Sequence, residues 1–437
     1  MQNFPLCHII PYAHSENQLD FLQFACRKRH TKHIGHDIIS GMKKIRRVAV
    51  AVERSSAYGR SFIRGVSEIA ELHPEWALTL LDPHSITDNI SAGYDGWICR
   101  IADAHAATAL RKCGRPVVDC LCAKPYPCFA TVRTDADAIG RLAAEHLLKR
   151  HFANFAFCGY RRVSFSDRRR NAFAGHLKGK GFATAIYRPP LRPANRFGRD
   201  FLLGDRVELP PDIEDLAVWL KRLPKPVGIF CCDDLRASQV MGVCRSLKID
   251  VPSQVALLGV DNDPIYCMFS TPRLSSIDPD ATAIGCVAAT TLDKMFTDTS
   301  ISREPPTLTV PPKGIVERAS TNTYPDAPSW FGEALIFIHD NVARQISASD
   351  VFQHVGRSRT LVERTFRNIL DTTVQKMIAA ERIAEAKRLL TSTVLPIKEI
   401  ASLSGFSTLE YLSRTFTATT GLSPTSWREN EQPANQP

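Results

Sequence analysis

From Arg46 onward, short apolar runs recur along the chain, separated by longer stretches in which apolar residues return every three or four positions. The runs "RRVAVAV", "WALTLL", "DGWICR", "RPVVDC", "NFAFCG", "PVGIFC" and "VALLGV" predict strands, whereas "AIGRLAAEHLLKR" and "RASQVMGVCRSL" have helical spacing. Strands alternating with helices predict a parallel sheet. Nearly continuous apolar strands are what such a sheet requires when helices cover both its faces, because neither face then meets water. About 270 residues of this pattern suit two α/β units with a cleft between them. The Pro- and charge-rich stretch "YRPPLRPANRFGRDFLLGDRVELPPD" interrupts the alternation and predicts an inserted surface loop.

The pattern changes at "TVPPKGIVERASTNTYPDAPSW", where Pro, Ser, Thr and Asn crowd together and a linker is predicted. Beyond it the periodicity is helical throughout, and it repeats. "ASDVFQHVGRSRTLVERTF" and "IKEIASLSGFSTLEYLSRTF" each predict a short helix, a turn at Gly356 or Gly405, and a second helix ending in Arg-Thr-Phe. In the second copy Ile400, Ala401, Leu412 and Phe416 fall on the inward side, which leaves Leu409, Glu410, Ser413 and Arg414 facing outward. One such pair reads equally well as an αα-hairpin in a bundle. Two copies joined by the helical "ERIAEAKRLL" predict a bipartite reader, its second helices entering successive major-groove faces about 10 base pairs apart. An outward arginine there has two donors for one guanine.

With 437 residues the chain exceeds what one core organises, and its 44% hydrophobic and 23% charged residues are those of a water-soluble globular protein. No apolar run approaches the roughly 18 residues of a membrane span, and the amino terminus lacks a signal-peptide pattern, so a cytoplasmic protein is expected. The 13 cysteines include Cys120, Cys122, Cys128 and the adjacent Cys231 and Cys232, without paired CxxC spacing, and predict buried thiols rather than a metal site. About half of the net charge of +10 lies in the first 47 residues, while the helical region is nearly balanced, so charge alone does not identify a nucleic-acid surface. The resulting division is an extension at 1–44, disordered or mis-started with Met42 as an alternative beginning; a two-lobed α/β domain at 45–318; a linker at 319–330; a helical domain at 331–430; and a tail at 431–437. His30, His33 and His36 of the extension read as a solvated tail rather than as metal ligands.

"RIAEAKRLL", "IKEIASLSGF", "YLSRTF" and "GLSPTSWR" together resemble the signature of AraC/XylS-type transcription regulators over the final ~100 residues. The resemblance implies that Thr360, Glu363 and Arg364, with Arg359 beside them, contact bases from the first unit, and Leu409, Glu410, Ser413 and Arg414 from the second. Two positions depart from the pattern: Asp371 stands where a glycine usually follows the first unit, and Leu409 where a polar residue is common.

The α/β region holds no phosphate loop, dinucleotide fingerprint, HExxH or GxSxG elbow. Polar clusters fall instead just past strand ends, where open α/β sheets bind ligands: "ERSSAYGRS", "RTDAD", "SFSDRRRNAF", "CCDDLRA" and "VDND". Carboxylates and guanidinium groups facing one another suit a neutral polyol, although any single Asp here also suits a helix N-cap. The order of these segments resembles the LacI/GalR-type effector domain, with the fold of periplasmic sugar-binding proteins. Joined to the AraC-type reader, it resembles the xylose-responsive, XylR-like regulators. That resemblance implies that Arg169, Asp233, Asp234, Asp261 and Asn262 bind a small sugar with Tyr58, Arg60 and Asp135 from the other lobe. It further implies D-xylose or another pentose as effector, DNA half-sites as target, a homodimer, RNA polymerase as partner of an activator, and neither cofactor, metal, catalytic residue nor membrane. Two rivals remain at this stage: a sugar- or nucleoside-processing enzyme with an appended DNA-binding domain, and an α/β region serving only dimerisation.

Overall fold

The computed structural model describes residues 45–101, 103–120, 126–161, 163–189, 212–298, 301, 304–325 and 327–431. The amino-terminal extension with its histidines, Cys122, and residues 190–211 of the expected insertion lie outside these. Twelve strands are described: β1 (Arg46–Ala51), β2 (Trp76–Leu81), β3 (Gly96–Cys99), β4 (Val117–Asp119), β5 (Ala130–Thr134), β6 (Phe155–Cys158), β7 (Thr184–Ile186), β8 (Val227–Cys231), β9 (Val255–Val260), β10 (Ser275–Asp278), β11 (Thr307–Val310) and β12 (Gly314–Val316). They form two six-stranded sheets, ordered β11-β5-β4-β3-β1-β2 and β12-β10-β9-β8-β6-β7. All pairings are parallel except β10 with β12. Each of the seven sequence-predicted runs contains one of these strands; β5, β7, β10, β11 and β12 were not foreseen.

Both faces of each sheet are covered, as continuous apolar strands require. In the first lobe Val48 and Val50 join one core and Ala49 and Ala51 the core on the opposite face. In the second, Ile229 and Leu257 point to one side and Phe230 and Leu258 to the other. Burying each such aliphatic or aromatic side chain contributes roughly 1.5–3 kcal/mol. The main covering helices are α1 (Ala57–Ala70), α2 (Ala136–Leu148), α3 (Ser164–Gly179), α4 (Asp234–Ser246) and α5 (Ala281–Thr297). The chain passes between lobes three times, from β5 to α2, from β10 to α5 and from β11 to β12, so the carboxyl ends of both sheets face one cleft.

The rest is helical: α6 (Ser329–Asp340), α7 (Ala348–Val355), α8 (Arg359–Leu370), α9 (Val374–Ser392), α10 (Ile397–Leu403), α11 (Leu409–Thr420) and α12 (Pro424–Glu431). Two separate cores are strung on α9, which gives Val374 and Ile378 to the first and Ile383, Ala386, Leu389 and Leu390 to the second. Its 19 residues span about 28 Å, close to one turn of DNA. Among the described residues no helix is long and apolar enough to cross a membrane.

Candidate effector cleft and nucleic-acid interface

In the first lobe, the chain leaving β1 places Glu53 and the chain leaving β3 places Arg100, both at carboxyl ends of adjacent strands. Arg100 Nη1 pairs with Glu53 Oε1, and its guanidinium lies 5.5 Å from the centre of the Tyr58 ring. Tyr58 stands in the first turn of α1, which Ser56 caps by accepting from Gly59 N at 3.0 Å. Burial and the neighbouring Asp261 carboxylate keep the Tyr58 hydroxyl protonated, although Arg100 opposes them.

The second lobe answers with Arg169, 3% exposed on α3. It donates to the Cys232 carbonyl, lies 3.7 Å from Asp261 Oδ1 and stacks over Phe165 at 5.2 Å. Asp233 is buried beside it, where it caps α4 through Arg236 N (2.7 Å) and accepts from Tyr160 Oη (3.3 Å). Asp261 and Asn262 follow β9 in left-handed backbone conformations, φ 108° and 47°. Burial pushes the Asp261 carboxyl up to about 7 despite Arg169, and the Asp233 charge adds to the rise. The lobes meet here, Ala57 N donating to Asp263 Oδ2 at 3.1 Å.

Three expected ligand residues have other engagements. Asp234, 1% exposed, lies beneath the 261–263 turn and accepts from Asp263 N (2.8 Å) and Ser276 Oγ (2.6 Å). Arg60 is exposed, and its guanidinium donates to the Arg54 and Ser55 carbonyls. Asp135 caps α2 by accepting from Ala138 N at 2.8 Å. It lines a cavity of about 250 Å³ at the first interlobe crossing, with Arg133, Asp137, Arg168, Asn171 and Thr309. Sequence reasoning did not single out Glu53, although it opens the quoted "ERSSAYGRS", nor Arg100. Their signal was position, a charged residue directly past an apolar strand.

Among the described residues, buried Arg169 Nε, Arg100 Nε and Glu53 Oε2 have no hydrogen-bond partner. Buried polar atoms are nearly always satisfied, so orphans of both signs at one cleft point to a ligand with donors and acceptors.

The helical region contains the two expected helix-turn-helix units, α7–α8 and α10–α11. Val362 and Phe366 of α8 and Leu412 and Phe416 of α11 are fully buried. Arg359, Thr360 and Arg364 are exposed and Glu363 half-buried on α8; Leu409, Glu410 and Arg414 are exposed and Ser413 half-buried on α11. Six of these eight positions are thus exposed, on the sides of α8 and α11 that face away from the two cores. The glycine replaced by Asp371 leaves the turn intact, because Asp371 itself takes the left-handed conformation (φ 49°) and its N–H donates to the Arg367 carbonyl. Aspartate tolerates that region better than most residues.

The two turn glycines differ. Gly356 (φ 62°) has open space where a Cβ would stand, whereas a Cβ on Gly405 (φ 80°) would meet the Val342 carbonyl oxygen at 1.9 Å. The second unit thus docks on the Val342–Arg344 turn ahead of the first, and Arg382 of α9 adds a hydrogen bond to the Ile346 carbonyl (2.8 Å).

Residues 144–321 match the family described as periplasmic binding protein-like domain, and residues 352–430 match a helix-turn-helix domain family. The Xylose operon regulatory protein of Haemophilus influenzae is 26% identical over 397 residues, covering 88% of this chain and 98% of that protein. The HTH-type transcriptional activator AarP of Providencia stuartii is 31% identical over 100 residues, 23% of this chain and 74% of its own. A solved structure of xylose-binding transcription activator XylR superposes with a TM-score of 0.58 at 26% identity, covering 89% of this chain and 98% of that one. These relatives are regulators, and the enzyme alternative finds no support among them. With a two-lobed cleft and paired helix-turn-helix units, matched across nearly its whole extent, this chain is an XylR-like transcription regulator in build, a periplasmic binding protein-like domain joined to an AraC-type helix-turn-helix domain.

Proposed function

We propose that this sugar-responsive DNA-binding regulator is controlled by a pentose, D-xylose first among them, held between the lobes. Arg169, Asp233, Asp261 and Asn262 serve it from one side and Tyr58, Arg100 and Glu53 from the other. Residues 45–318 form the effector module and 331–430 the reader, acting as a cytoplasmic homodimer on operator or promoter half-sites; if its output is activation, RNA polymerase is a further partner. The carrying observation is the set of orphaned atoms at the cleft, Arg169 Nε from one lobe and Arg100 Nε and Glu53 Oε2 from the other. A neutral polyol can donate to the carboxylates and accept from the guanidinium groups without bringing a charge of its own into the cleft. Hydrogen bonds to charged groups contribute roughly 1.5–3 kcal/mol each, so one hydroxyl separates related sugars measurably. On the DNA side, Arg359, Thr360, Glu363 and Arg364 face one half-site and Leu409, Glu410, Ser413 and Arg414 the next, with Leu409 suited to a thymine methyl.

The test is a thermal-shift panel of pentoses and hexoses on the full chain, followed by DNA titration of any hit. D-xylose raises the melting temperature, and Arg169→Ala abolishes that shift while DNA binding persists. A panel with no shift, or an Arg169→Ala chain with unaltered sugar affinity, overturns the reading.

A further inference from the structure

The start of the expected linker is sewn into the effector domain, and Arg318, the residue just before it, reaches the cleft. Arg318 Nη2 donates to Asn262 Oδ1 at 2.8 Å, and Arg318 Nη1 to the Leu274 carbonyl at 2.8 Å. The Arg318 backbone exchanges two hydrogen bonds with Ser275 Oγ, at 2.7 and 2.8 Å. Asn262 is equally tied on its own side, its N–H donating to Ser276 Oγ, which donates to Asp234. The left-handed Asp261–Asn262 turn is thus held from beneath by Asp234 and from the side by Arg318.

Beyond Arg318 the strap stays packed. Ser320 and Thr321 are fully buried. Ser320 Oγ donates to the Leu257 carbonyl (2.6 Å) and Thr321 Oγ1 to Ser275 Oγ (2.8 Å). Arg150 Nε donates to the Thr321 carbonyl at 2.7 Å, and the Arg150 guanidinium lies 5.9 Å from the Tyr324 ring. Tyr324 meets Phe331 of α6 edge-on at 5.6 Å, and Phe331 meets Phe366 at 4.9 Å. Phe366 is the buried anchor of α8, the helix that carries Arg359, Thr360, Glu363 and Arg364. A continuous series of contacts therefore runs from Asn262 in the cleft to the first recognition helix.

From this geometry we infer that Arg318 is a positioning residue that couples the cleft to the reader by holding the 318–324 strap to the Asn262 turn. The inference rests on the proposed sugar reading. Two successive non-glycine residues at positive φ form an uncommon turn, of a kind that marks switch regions with discrete alternatives. A ligand that engages Asp261 or Asn262 differently in two arrangements biases that turn, and Arg318 passes the bias to a strap that ends in the aromatic core of the first unit. Couplings of this kind amount to about 5- to 150-fold in affinity.

The experiment measures DNA affinity of the full chain with and without D-xylose, and D-xylose affinity by calorimetry, for wild type and Arg318→Met. Sugar affinity and sugar-free DNA affinity stay within about threefold of wild type, while the ratio of DNA affinities with and without sugar collapses to within about twofold. Tyr324→Leu, at the far end of the strap, gives the same pattern and substitutes for Arg318→Met if that chain does not fold. A retained ratio in both variants overturns the inference while leaving the sugar reading standing. Loss of sugar binding in Arg318→Met overturns it too, since the residue would then belong to the binding site. A wild-type chain that binds no sugar fails in the calorimetry alone, and the inference falls with the reading.

Discussion

Arg169 and Arg414 are both offered as ligand contacts, yet Arg169 is 3% exposed and already bound to the Cys232 carbonyl and near Asp261, whereas Arg414 lies exposed along the Tyr411 ring. The same contrast holds for carboxylates: Asp233 and Asp234 are buried and multiply bonded, while Glu410 is exposed. Burial makes a cleft residue part of the fold it serves, because removing one partner of a buried pair strands the other. A recognition helix keeps its reading residues outside the core, so stability and specificity separate. Effector binding and DNA binding are thus expected to answer mutation in different currencies.

Asp234→Ala tests this hardest. It strands the Asp263 N–H and the Ser276 hydroxyl beneath the turn, at about 1–3 kcal/mol for each buried donor. The urea midpoint of the full chain should drop by the equivalent of about 2–6 kcal/mol. An unchanged midpoint would mean that the turn holds without its buried carboxylate.

Asp261 gives the contrast a pH signature. Its carboxyl titrates near 7 in the fold, above the ordinary carboxylate value, chiefly through burial. The folded chain therefore retains a proton that the unfolded chain releases, and the associated stability is fully present below about pH 4 and lost as pH rises through 7. Asp261→Asn should flatten the pH dependence of stability over that window, by up to about 4 kcal/mol. Identical slopes for the two chains would show that the carboxyl is ionised throughout.

Arg414→Ala sits at the small end. Unfolding stability should stay within about 0.5 kcal/mol, while operator affinity falls by about 1–3 kcal/mol, concentrated on one base of one half-site. Equal loss on every sequence would reassign Arg414 to a phosphate, and a matching loss of stability would erase the distinction between cleft and reader.

Apolar periodicity revealed those strands whose every residue is buried, such as Val255–Val260. It passed over Ser275–Asp278, where two serines are fully buried because they are hydrogen-bonded rather than because they are apolar, Ser275 to the strap and Ser276 to Asp234. The helix-turn-helix units were readable down to the inward positions, since a short repeated motif fixes both helices. The cleft was readable only in outline. Asp233 and Arg169 fell in recognisable clusters, but Arg100 meets Glu53 through sheet order, which a linear reading does not contain. The composition of "ERASTN" suits a loop and does not reveal that its serine and threonine make buried hydrogen bonds and its arginine a half-buried one.

The glycine docked against the Val342 carbonyl has a consequence on the DNA. With that contact and one continuous helix between them, the two readers form a caliper of fixed opening. Each base pair inserted between half-sites turns one of them by about 36° around the duplex. On the proposed reading, such a protein is expected to measure phase before it reads letters, so that half-site spacing is as heritable a part of its target as the bases themselves.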